Sequence, residues 1–167
     1  MRTNLLCILG IGLALLIGLK SGQKGGAEGV RLGGRVPDFS LKTLAGDMVT
    51  DQSLQGQVVI LNFWSMSCSA CLAELPELQQ IVNDSQAMVI GIALEQGSAQ
   101  AVQSLLKRRG ITYPVALGDQ ELFERFDGVS IPYTLLLDRT SRVVKIYHGA
   151  VSKETLEKDI RSIAEQG

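Results

Sequence analysis

Hydrophobic and polar positions divide this 167-residue chain into an apolar leader, a glycine-rich connection and a stretch that alternates strand-like and helix-like spacing. Leu5 to Leu19 holds only hydrophobic residues and glycine, with Arg2 before it and Lys20 closing it. Such a run predicts a targeting element, not the start of a folded core. At about 1.5 Å per residue it falls short of the roughly 30 Å hydrocarbon core, which favours a cleaved signal peptide. No small-x-small site directly follows it, and Thr3 and Asn4 extend it, which favours a retained single-pass anchor. Residues 1–20 are therefore read as a signal anchor or signal peptide. Residues 21–34 are read as a Gly-rich flexible tether, and 35–167 as one folded domain.

Within 35–167 the periodicity predicts an α/β domain. Val58 to Trp64 and Ala87 to Leu94 read as buried strands, and Val115 to Leu117 as a shorter one. Cys71 to Asp84 places Leu72, Leu75, Leu78, Ile81 and Val82 at helical spacing, with Pro76 expected to kink the helix. A second helix begins at Ser98, carries Val102, Leu105 and Leu106, and ends near Gly110. A short helix covers Gln120 to Phe126. Thr134 to Leu137 and Val143 to His148 form a hairpin across Asp138–Arg142. Ser152 caps a last helix bearing Leu156, Ile160 and Ile163. Upstream, Asp38–Leu41 and Asp47–Thr50 flank Gly46 as a small leading hairpin.

Composition narrows the function classes. Sixteen Lys+Arg against 17 Asp+Glu exclude a strongly basic nucleic-acid binder and an acidic tail. Three cysteines are too few for a disulfide-stapled scaffold, and one histidine argues against a His-rich metal site. The near-neutral total conceals a division: residues 1–32 carry four Lys+Arg and one Asp+Glu, and the remainder 12 and 16. A basic leader thus precedes a mildly acidic domain. Cys7, inside the apolar run, reads as a small apolar residue.

Chemistry concentrates at Cys68-Ser69-Ala70-Cys71, where a buried strand hands over to a helix. Free N–H groups and the dipole at a helix N-terminus stabilise a thiolate, so the first cysteine is activated. The two-residue spacer lets Cys71 reach Cys68 and resolve a mixed disulfide. A zinc site needs more ligands than this pair, and a structural bridge over so short a loop stabilises little. In a βα context the spacing reads as a redox motif. Gly128-Val-Ser-Ile-Pro132-Tyr-Thr enters a strand about sixty residues later.

Together these residues resemble the thioredoxin superfamily, and within it the membrane-tethered TlpA/ResA-like thiol–disulfide oxidoreductases. Val36–Leu41, Gly56–Trp64, Cys68–Pro76 and Ile131–Asp138 carry the likeness, which spans essentially residues 33–165. It implies a thioredoxin fold: a central mixed sheet flanked by helices, with an N-terminal hairpin and a βα insertion between Glu95 and Tyr113. It further implies a cis Pro132 facing the cysteines and an Ile131 backbone that pairs with substrate. Glu74 matches a groove glutamate that would relay the Cys71 proton; as a bland alternative it is a solvated first-turn carboxylate. Asn62 stands where cytoplasmic thioredoxins carry a buried Asp. Trp64 is placed under the active site and counted with Ile131 and Pro132 as substrate-binding. The chain departs from the family at Met66-Ser67, where a Trp usually precedes the cysteine, and at Ala70, usually proline.

The resemblance implies an extracytoplasmic enzyme at the cell membrane, or a periplasmic or secreted one if the leader is cleaved. Its partners would be disulfide-containing exported proteins, apocytochrome c among them, and a membrane dithiol electron donor. No cofactor, metal or nucleic acid is expected. Two rivals remain at this point. A peroxiredoxin-like peroxidase shares the Pro-Asp-Phe opening and places a Thr where this chain has Ser65. A Sco-like metal-binding module would use the cysteines with a distant His, though that family spaces its cysteines three apart. His148 reads as a strand-edge residue, and Lys107–Arg109 as a basic cluster complementing its own helix C-terminus.

Overall fold

In the computed structural model the described residues are 29–84, 86–95 and 97–165. The apolar run, Cys7 and most of the tether lie outside them. In chain order the elements are β1 (Ser40–Lys42), β2 (Met48–Thr50), a 3₁₀ turn (Gln52–Leu54), β3 (Val59–Trp64), α1 (Ser69–Asn83), β4 (Met88–Leu94) and α2 (Ala99–Arg109). They continue with β5 (Val115–Gly118), α3 (Gln120–Arg125), β6 (Tyr133–Leu137), β7 (Val143–His148) and α4 (Lys153–Ala164). The expected elements are all present, with boundaries shifted by a residue or two.

The main sheet has the order β5-β4-β3-β6-β7. β3 runs parallel to β4, and β4 to β5, while β6 and β7 are antiparallel additions. This is the mixed sheet of a thioredoxin-like fold. β1 and β2 form the leading hairpin, tied to the sheet by bridges from Arg35 to Arg142 and Thr43 to Ala116.

All six residues of β3 are buried, because the sheet is covered on both faces. Val58, Ile60 and Trp64 pack with α1, α2 and α4 through Cys71, Leu75, Leu78, Val102, Leu106, Leu156 and Ile160. Val59, Leu61 and Phe63 pack with the leading segment and α3 through Val36, Phe39, Leu122, Phe123 and Phe126. Each large side chain buried in this way contributes roughly 1.5–3 kcal/mol. Strand alternation puts Asn62 on the α1 face, as the one polar side chain among the residues of β3.

α1 starts at Ser69, two residues before the apolar periodicity begins, since Ser69 and Ala70 are exposed and carry no core side chain. It continues through Pro76, which has no N–H for the Leu72 carbonyl. Arg109, the last residue of α2, donates to that carbonyl instead at 3.0 Å. The basic cluster thus serves the neighbouring helix as well as its own. α4 docks on α1 where Lys153 N donates to Glu77 Oε2 at 3.0 Å and Lys153 Nζ pairs with Asp84 at 2.7 Å.

Pro76→Ala restores the helical bond and is expected to stabilise the domain by about 1–3 kcal/mol. Arg109→Ala should destabilise the parent by at most about 1 kcal/mol and leave the Pro76→Ala background nearly unchanged. Urea unfolding midpoints of the four proteins check both. Equal effects of Arg109→Ala in the two backgrounds would refute the link.

Candidate active site

Cys68 occupies the N-cap of α1 with extended backbone (φ −95°, ψ 105°), and Cys71 N donates to its sulfur at 3.1 Å. The sulfur thus takes the capping role that a serine or aspartate oxygen usually fills. Cys68 and Cys71 are joined as a disulfide, with Cα atoms 5.2 Å apart. Cys68 is half-buried, whereas Cys71 lies wholly within the core against α1's own side of the sheet. Only Cys68 is therefore open to an incoming disulfide, and its sulfur sits at the positive end of the helix dipole.

The Ile131–Pro132 bond is cis, and the Ile131 carbonyl lies 3.9 Å from Cys68 Sγ. Pro132 is buried and Ile131 half-buried. The connection from β7 to α4 closes the same corner: Gly149 N donates to the Pro132 carbonyl at 2.8 Å. Two residues on, Val151 N donates to Glu74 Oε1 at 3.0 Å.

Glu74 is 2% exposed. The bland alternative, a solvated first-turn carboxylate, does not describe it. Asn62 Nδ2 donates to Glu74 Oε2 at 3.0 Å and to Thr134 Oγ1 at 2.8 Å, so β3, α1 and β6 meet at one amide. Burial raises the Glu74 carboxyl from 4.5 to about 7, against the lowering pull of the Val151 N–H and the Asn62 amide. Burial, and secondarily the Glu74 charge, push the Tyr113 hydroxyl far above its ordinary value. Glu74 stands one helical turn after Cys71, on the same face of α1. A group half-protonated near neutral pH beside a resolving thiol is suited to accept and return a proton.

Trp64, expected among the substrate contacts, has no exposed surface. It is the last residue of β3 and points into the α1-side core, packed over Gly91, where an added Cβ would stand 3.1 Å from its Nε1. It supports the core around Cys71 and presents no surface to a substrate. His148 is exposed at the end of β7, its ring 5.2 Å from that of Tyr133. The Ser65 hydroxyl donates to Glu95 Oε1 at 2.8 Å, which commits its one proton to that carboxylate.

Two contributors escaped the sequence reading. Glu95 follows the last residue of β4 and binds the turn before Cys68. Thr134 pairs with Asn62 from across the sheet. The signals for Glu95 were a carboxylate ending the strand beside β3 and two serines flanking Met66. Neither identifies a partner without the strand order.

The AhpC/TSA family model matches residues 32–162. The thiol-disulfide oxidoreductase ResA of Geobacillus thermodenitrificans is 31% identical over 137 residues, 80% of this chain and 79% of that protein. ResA of Bacillus subtilis is 27% identical over 169 residues, 99% of this chain and 93% of its own. The crystal structure of StoA from Bacillus subtilis superposes with a TM-score of 0.64 at 27% identity, covering 73% of this chain and 95% of that one.

Glu74 makes stability depend on pH. A carboxyl at 4.5 when unfolded and about 7 when folded holds its proton more tightly in the folded state. Its contribution is full below pH 4.5 and is lost as pH rises through about 7, a change on the order of 3 kcal/mol. Urea unfolding of the oxidised protein should show the parent less stable at pH 8 than at pH 5. Glu74→Gln should remove most of that difference; an unchanged difference would show that another group carries it.

Proposed function

The chain belongs to the AhpC/TSA family and is a thiol–disulfide oxidoreductase; from that premise we propose that it reduces disulfides of exported proteins through Cys68 and Cys71. The observation that carries this reading is the asymmetric pair. An accessible sulfur at a helix N-cap is backed by a fully buried one, with a buried carboxyl one turn further along. Cys68 thiolate attacks a substrate disulfide, forming a mixed disulfide and releasing one substrate thiolate. Cys71 then passes its proton to Glu74 and attacks Cys68 Sγ, forming the 68–71 disulfide and releasing the second substrate thiolate. Two electrons move from the dithiol to the substrate, whose thiolates are protonated. Ile131 and Pro132 form the wall beside Cys68 against which the substrate backbone lies.

The enzyme works on the extracytoplasmic side of the cell membrane, tethered by residues 1–20 or released from them, and a membrane dithiol returns its electrons. The apolar leader and the resemblance to membrane-tethered relatives support this placement. Among the described residues no helix is long and apolar enough to cross a membrane. Apocytochrome c is one candidate substrate. The peroxidase alternative is disfavoured by Ser65, whose hydroxyl is committed to Glu95.

Cys68→Ser should abolish reduction of a disulfide-closed peptide. Cys71→Ser should instead accumulate mixed disulfides in cells, whose protein partners identify the substrate class. Glu74→Gln should slow turnover at pH 7 by about 10²-fold or less and remove the inflection near pH 7 from its pH profile. A reduction potential at or above roughly −120 mV, the strongly oxidising end, would overturn the reductase direction. The full chain should sediment with membranes from cells in which the leader is retained, and its domain should be open to external protease after removal of any outer envelope. Recovery of the domain from the cytoplasm alone would refute the placement.

A further inference from the structure

The turn delivering Cys68 is held by a residue outside α1. Met66 N donates to Glu95 Oε1 at 2.5 Å, and the Ser65 hydroxyl donates to the same oxygen at 2.8 Å. A hydroxyl has a single proton, so with that of Ser65 committed to Glu95 the 2.8 Å contact between Ser65 and Ser67 has Ser67 as donor. Ser67 N then donates to Ser65 Oγ, and Cys68 N to the Ser65 carbonyl, both at 3.2 Å. Every backbone N–H from Met66 to Cys68 is engaged in this one turn. Glu95, at the end of β4, ties the turn to the sheet.

Met66 is the one large side chain of the turn, half-buried against the α1-side core. Ser65 and Ser67 are small, Ser65 buried and Ser67 exposed. Hydrogen bonding therefore orders the two serine positions that flank Met66, where no bulky side chain does so. We propose that Glu95 is a positioning residue for thiol–disulfide exchange, its carboxylate fixing the Ser65–Ser67 turn and so aiming Cys68 Sγ beside the Ile131 carbonyl. Sulfur attack on a disulfide requires an aligned approach, and misplacement by about 1 Å lowers rates by up to about 10²-fold. The role is geometric: an acceptor oxygen at this place is what the turn needs. It rests on Cys68 being the attacking sulfur.

The test uses the reduced full chain and a synthetic peptide closed by one disulfide, reading the second-order reduction rate and the pH profile of Cys68 alkylation by iodoacetamide. Glu95→Ala should slow reduction about tenfold while circular dichroism stays native. Glu95→Gln, which keeps an acceptor oxygen, should stay within about threefold of the parent, with little change in the alkylation profile. Ser65→Ala combined with Glu95→Ala should be no slower than Glu95→Ala alone, because both act through one turn. A folded Glu95→Ala with the parental rate overturns the proposal. So does a Glu95→Gln as slow as Glu95→Ala with a shifted alkylation profile, since charge would then be the cause. If Glu95→Ala does not fold, Ser65→Ala decides: slowing with Glu95→Gln intact supports the proposal, and a parental rate overturns it. A parent inert toward the peptide disulfide would instead sink the functional reading on which the proposal rests.

Discussion

The burial of β3 on both faces is the constraint from which the remaining architecture follows. A strand covered on both sides places every side chain in a core and leaves no water for a polar one. Asn62 is that polar side chain: its amide nitrogen donates to Thr134 from β6 and to Glu74 from α1, while its Oδ1 is buried with no hydrogen-bond partner among the described residues. Glu74 in turn needs a second donor and finds it in Val151 N, at the start of the segment leading into α4. One buried amide thus fixes the relative placement of the central strand, its antiparallel neighbour, the first helix and the last. The same chain of bonds puts a carboxyl one turn behind the cysteine pair.

Two electrostatic environments meet at that pair. Cys68 lies at the open N-terminus of α1, where backbone N–H groups favour a thiolate. Cys71 and Glu74 lie in the core, where burial favours the neutral form of the Glu74 carboxyl. The two sulfurs therefore differ in accessibility and in surroundings, although only two residues separate them. This difference is what a stepwise exchange needs: an attacking thiolate ready at the surface, and a resolving thiol activated when a local base accepts its proton.

Much of this was legible in the chain. Alternation and helical spacing placed the elements, and a cysteine pair between a buried strand and a helix named the redox chemistry. The leading hairpin followed from Gly46, whose φ of +105° suits a residue without a side chain. Trp64 reads from the sequence as lying under the active site and is also counted as a substrate contact; its burial agrees with the first and leaves no surface for the second. Alternation along β3 gives the face it takes, but the glycine on β4 that makes room for it is not visible locally. Arg109 was read as complementing its own helix, since sequence spacing does not tell that α2 ends beside the proline gap in α1.

The amino-acid sequence by itself placed the cysteine pair at the junction of a buried strand and a helix, because helix caps, strand alternation and cysteine spacing act over a few neighbours. Only the tertiary structure decided what surrounds them. Glu74 becomes a near-neutral acid through burial, the Cys68 turn is held by Glu95 some thirty residues away, and the Pro132 segment meets Cys68 through the pairing of β3 with β6. These are long-range contacts set by strand order and core packing. Local propensity carries no information about them, because their energy comes from excluding water between segments that are distant along the chain.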